Sequence, residues 1–114
     1  MRLSTIALIA AAAAWPVLAV AQDAHTGHAN GDVASAFTGA NEKMMQDMMA
    51  TPTGDADKDF VMMMIPHHQG AIDMARIELE FGKDPMLREL AQEIISAQEK
   101  EIAILRAWQE EHGM

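Results

Sequence analysis

The 114-residue sequence has no cysteine and no tyrosine, and only three Phe and two Trp. Without cysteine no disulfide staples the fold, and no thiolate is available as nucleophile or metal ligand. Basic residues are also scarce. Eight Lys and Arg stand against seventeen Asp and Glu, a formal net charge of −9. Phosphate recognition depends on clustered Lys and Arg, so this balance argues against nucleic acid as a partner. Segments that alternate apolar and polar residues are missing too, which leaves an all-α fold class. What the chain has in excess is methionine, eleven in all.

The first residues bear on compartment. Arg2 is followed by an almost wholly apolar stretch from residue 3 to residue 20, closed by Ala19-Val20-Ala21. A short basic start, an apolar run and a small-residue site together predict a signal peptide over residues 1–21, cleaved after Ala21. The run contains Pro16 and falls short of the ~20 residues a spanning helix needs, so no membrane attachment is expected after cleavage. The expected location is periplasmic or secreted. Thioethers suit such an oxidising compartment, because a pair of thiols there is lost to disulfide formation.

Residues 22–32 are rich in Gly, Ala, His and Asp without apolar periodicity, and read as a flexible arm carrying His25 and His28. Residues 33–114 read as one helical domain. Asp32 is the expected N-cap of a first helix over residues 33 to 50, in which Phe37, Asn41, Met44 and Met48 recur at helical spacing. Thr51-Pro52-Thr53-Gly54 ends it. A second helix is predicted from Asp55 or Asp57 to Phe81. In Gly82-Lys83-Asp84-Pro85 the glycine stops that helix, Asp84 caps the next and Pro85 takes its first position. The third helix then runs to about Glu111, with Leu87, Ala91, Ile94, Ile95, Ile102, Leu105 and Trp108 as its apolar stripe. At 1.5 Å per residue the two long helices each span roughly 37 to 40 Å, and the short turn folds them into an antiparallel hairpin. The shorter N-terminal helix packs across it, either as a three-helix unit or as part of a four-helix bundle completed by a homodimer.

The chemistry concentrates in Met62-Met63-Met64-Ile65-Pro66-His67-His68. With about 100° per residue, Met63, His67 and Met74 fall within about 40° of one another, near Phe60, Gly70 and Ala71. Met64 and His68 form a parallel pair one step round the helix. Met44 with Met48, and Met45 with Met49, are further i, i+4 pairs. Met62 falls at the edge of this pattern. Thioether and imidazole together select copper(I), with silver(I) and copper(II) as neighbouring possibilities, over the hard ions Mg²⁺ and Ca²⁺. The plainer alternative is that methionine fills a core. It explains single residues better than it explains two adjacent histidines inside a methionine cluster, in a chain that builds its third helix from Leu and Ile.

Three points stay open at this level. Pro66 either kinks the second helix or marks its true start. Gln98 or Glu101, opposite residues 68 to 70 in an antiparallel hairpin, is placed to orient His67 or His68. Glu78, one turn beyond Met74, is either a fourth donor or an edge residue. His112 and Met114 lie at the C-terminus and carry no assignment.

The string from Phe60 through Met-Ile-Pro-His-His-Gln-Gly-Ala-Ile-Asp-Met to Ala75, followed by Leu90-Ala91 and Ala97-Gln98 with Glu101-Ile102, resembles the hallmark of the domain of unknown function 305 family. The resemblance covers roughly residues 40 to 110. It implies a ferritin-like helical bundle, export and an association with copper resistance. It also implies ligands at His67, His68, Met74 and Met63 or Met64, with the first-helix methionines Met44, Met45 and Met48 as an accessory site.

The expected function is therefore to sequester copper(I), or to exchange it with a copper-transfer protein, without catalysis. Two other classes compete with it. One is a Met-rich helical interaction module. The other is a ferritin-like oxidoreductase, against which stands the absence of any Glu-x-x-His or His-Glu-x-x-His motif.

Overall fold

A computed structural model describes residues 26 to 114. The expected signal peptide over residues 1–21, its cleavage site and His25 lie outside the described residues. Among the described residues there are three helices and no strand: α1 (Thr26–Asp47), α2 (Ala56–Phe81) and α3 (Pro85–Glu111).

The helix ends follow local chemistry. Asp55 caps α2, its carboxylate accepting from the backbone N–H of Asp57 at 3.0 Å and of Lys58 at 3.2 Å. Asp84 caps α3 by accepting from Leu87 N–H at 3.0 Å, with Pro85 in the first turn. Each bond satisfies a donor that the helix itself leaves free. At the other end of α2, Arg88 donates to the carbonyls of Leu79 at 2.7 Å and Gly82 at 3.0 Å, closing the turn from the α3 side. Gly82 is needed there for close approach rather than for a left-handed backbone, since its φ is −70°. A Cβ at this position would come within 2.5 Å of the Glu78 carbonyl oxygen.

α1 departs from expectation at both ends. Asp32 does not cap it. The helix already includes Thr26 and runs through Asp32, so only residues 22 to 25 of the expected arm precede it. No proline interrupts this stretch, and Gly27 and Gly31 weaken a helix by only about 1 kcal/mol each without breaking it. The helix also ends at Asp47, three residues short of Ala50. Met49 N–H turns to the Gln46 carbonyl at 3.1 Å, a tightened last turn that releases the chain before Pro52.

α2 and α3 form the antiparallel hairpin, and α1 packs on α2 rather than on α3. The buried apolar residues are Val61, Ile72 and Ala75 of α2 with Ala91 and Ile102 of α3. Val61, Ile72 and Ala75 lie within about 60° of one another on the α2 wheel, so a single line of contact joins the two long helices. Ile72, at 2% exposure, is the one large side chain among the described residues that is fully enclosed. The Arg76–Glu99 ion pair, at 3.7 Å and exposed on both sides, adds little to the hairpin. No helix of the described residues is long and apolar enough to cross a membrane.

Candidate metal centre

Pro66 lies inside α2, ten residues beyond its first, and is not its start. The helix wheel therefore holds through the whole methionine and histidine cluster. Met63, His67, Gly70 and Met74 occupy one ridge at spacings of four, three and four residues, the separations at which side chains on a helix are neighbours. Met63 and Met74 are exposed to nearly the same extent, 38% and 37%, and His67 is exposed with them.

α1 meets this ridge at its middle. A Cβ built on Gly70 would lie 2.5 Å from Met44 Sδ and 2.8 Å from its Cγ. The missing side chain is therefore the seat of the Met44 thioether, three residues from His67 and four from Met74. The result is an exposed ridge of one imidazole and three thioethers, those of Met44, Met63 and Met74. The sequence places Gly70 on the right face but gives it no role. Its position inside a helix, where glycine is unfavourable, was the available signal.

The second predicted pair faces the hairpin. Met64 is half-buried, and the His68 side chain is 13% exposed. His68 Nε2 stands 2.5 Å from Glu101 Oε2, so the carboxylate of α3 accepts from the ring N–H. Of the two candidates for orienting a histidine, Glu101 makes the bond, and its partner is His68 rather than His67. Gln98 is half-buried and makes no side-chain hydrogen bond to either ring. His68 Nδ1 is buried with no hydrogen-bond partner. The Nε2–H is committed to Glu101, so Nδ1 is the ring nitrogen left without a partner. The His67 and His68 rings lie 6.1 Å apart at 63°, so the two histidines are adjacent but turned to different surroundings.

The other predicted residues divide. Met48 is half-buried one turn beyond Met44. Met45 is 56% exposed and Met49 81%, and neither is brought to the ridge. Met62 is not an edge residue in solvent. It is half-buried and lines a polar cleft of about 460 Å³ with Lys43, Asp47, Ile65, Gln69 and Arg106, because α1 covers that side of α2. Glu78 lines the turn-end cleft with Met74, and its carboxylate lies against Gly82 at the end of α2. At the C-terminus His112 stacks on Trp108 at 4.0 Å, its Nδ1 2.8 Å from the Trp108 carbonyl, far from both clusters in sequence.

Among the described residues no three His, Asp or Glu side chains gather into a group that could hold an ion. Any ion held at the ridge needs sulfur donors, which is a soft-metal arrangement.

The profile of a family described as Domain of unknown function (DUF305) matches residues 8–109. Among curated proteins, an uncharacterized protein of Acanthamoeba polyphaga mimivirus is 44% identical over 46 residues. That stretch covers 40% of this chain and 30% of the viral protein, so the match spans under a third of the relative's length.

Proposed function

The chain belongs to the family described as Domain of unknown function (DUF305), and within that frame we propose that it is an exported copper(I)-binding protein that sequesters or transfers the ion through Met and His ligands. The observation that carries this reading is the Met44 thioether seated on Gly70, which brings a sulfur of a second helix onto the α2 ridge between His67 and Met74. Thioether sulfur and neutral imidazole both hold copper(I), and neither competes well for Mg²⁺ or Ca²⁺. Because Met63 and His67 are exposed, the ridge is open at that end to a donor or acceptor of the ion. Such access suits exchange with a copper-transfer protein, and silver(I) is the natural surrogate ion. His68 supports the reading from the other side: a buried, unpartnered Nδ1 on a ring steadied by a carboxylate is a ligand already oriented.

A competition titration with a chromogenic copper(I) chelator tests the assignment. Replacing His67 and Met74 together by Ala is expected to weaken copper(I) binding at least tenfold while leaving helicity unchanged. Equal affinity of the variant and the parent chain would overturn it.

A further inference from the structure

Three clefts lie along one side of the α2–α3 hairpin. The first, about 300 Å³, is at the turn end and is lined by Phe37, Met74, Leu87, Leu90 and Ile94 among others. The second, about 160 Å³, borders the His68–Glu101 pair at mid-length, and the third, about 230 Å³, lies at the open end beside Trp108. Phe60, Ile104 and Leu105 wall both of the last two. On the α2 wheel, the residues bordering these clefts fall on one side of the Val61–Ile72 line, whereas Met62, Ile65 and Gln69 of the polar cleft fall on the other. The three clefts are thus one continuous face, as long as the hairpin itself.

This face is built like half of a core. Ile104 is 68% exposed and Phe60 55%, with Leu90, Leu87, Phe37 and Met74 between 48% and 37%. Those six side chains leave on the order of 500 Å² of apolar surface uncovered, taking about 150 to 250 Å² for a whole large side chain. The largest apolar patch on a lone soluble domain is about 300–600 Å² and often marks a contact, so this face stands in the upper part of that range, and a stable partner covers about 800 Å² on each side once the polar rim is included. Only three charged residues, Asp57, Glu78 and Glu101, line the clefts, and Glu101 is already bonded to His68. In a chain of net charge −9, a face with three carboxylates, one of them bonded to a histidine, sets two copies together with little repulsion.

We propose that a second copy of this chain covers this face, the two hairpins packing antiparallel about a two-fold axis near Ala97, midway along α3 between Leu90 and Ile104. The face is self-complementary in that arrangement and not in the parallel one. Its turn end holds the 300 Å³ cleft, the largest of the three, while its open end carries the two most exposed of these side chains, Ile104 and Phe60. A two-fold axis at mid-length lays those side chains of each copy over the turn-end cleft of the other, an isologous contact that yields a four-helix bundle. The inference stands on packing and does not depend on which metal the methionine ridge holds.

Sedimentation equilibrium of the full chain, with a copper chelator present, tests it. The expected mass is that of two chains. Ile104→Glu and, at the opposite end of the face, Leu90→Lys are each expected to weaken self-association at least tenfold with helicity retained, whereas Met49→Glu leaves it unchanged. Mixing the Ile104→Glu and Leu90→Lys chains is expected to restore association as a heterodimer, because antiparallel packing sets Glu against Lys. A single-chain mass at every concentration overturns the proposal. So does equal loss of association in the Met49→Glu chain, or a mixture that stays monomeric.

Discussion

The two sides of α2 are built on different rules. Toward α3 it presents Val61, Ile72 and Ala75, stiff or small side chains that are almost wholly enclosed. Toward α1 and solvent it presents Met63, His67 and Met74 around a glycine, touched at the centre by the single thioether of Met44. The inner side has the composition of a close-packed interior, where a lost methylene is felt. The outer side uses the most adaptable apolar side chain and leaves it accessible. One helix therefore carries two unlike surfaces, an enclosed one that holds the hairpin and an accessible one of thioether and imidazole side chains.

The contrast is most exposed to test at Ile72. Replacing it by Ala removes the one fully enclosed large side chain and is expected to cost about 2–5 kcal/mol in urea denaturation. Met63→Ala is expected to cost well under that, about 1 kcal/mol or less, since its side chain is already over a third exposed. Comparable losses at the two positions would mean that the two sides of α2 are not distinct. A smaller effect is expected at the junction. Gly70→Leu forces Met44 from its seat and is expected to cost about 1–3 kcal/mol by overpacking. It should also weaken amide protection in α1 and lower copper(I) affinity. Unchanged protection and affinity would show that the Met44 contact has no part in joining α1 to the ridge.

The smallest effect concerns the loop between α1 and α2. Asp59 accepts from Thr53 N–H at 2.6 Å, from the Thr53 hydroxyl at 2.7 Å and from Gly54 N–H at 3.0 Å. The Thr53 backbone bond, then its hydroxyl bond, hold the Asp59 carboxyl below its ordinary value of 3.8. A carboxyl lowered in the folded state contributes stability that is present above that ordinary value and is lost as pH falls through the folded-state value. The protection factors of the Thr53 and Gly54 amides, taken against their intrinsic exchange rates at each pH, are therefore expected to fall once pH drops through the folded-state value of Asp59. Asp59→Asn should abolish that dependence while sparing the hairpin. Protection at these two amides that ignores both pH and the substitution would show that the clamp does not hold the loop.

Much of this was legible before any coordinates. Asp55, Asp84, Pro85 and Gly82 mark helix ends through bonds made within a few residues, so α2 and α3 could be delimited from the chain alone. α1 was harder, because its N-terminal stretch has neither a strong breaker nor a strong periodicity. The common face of Met63, His67 and Met74 follows from helix geometry once α2 is continuous. Whether it is continuous was not legible, since Pro66 is compatible with a helix start as well as with a helix interior.

By itself, then, the sequence determined that there are three helices, that the two long ones form an antiparallel hairpin, and that His67 and Met74 share one side of the second. These depend on local bonds and on the helical repeat. Only the tertiary structure decided that Met44 rests on Gly70, that Glu101 and not Gln98 bonds to His68, and that Met62 is sheltered by α1. Each of those outcomes depends on where one helix crosses another. That crossing is set by the summed fit of many side chains across a gap in sequence, which no local pattern encodes.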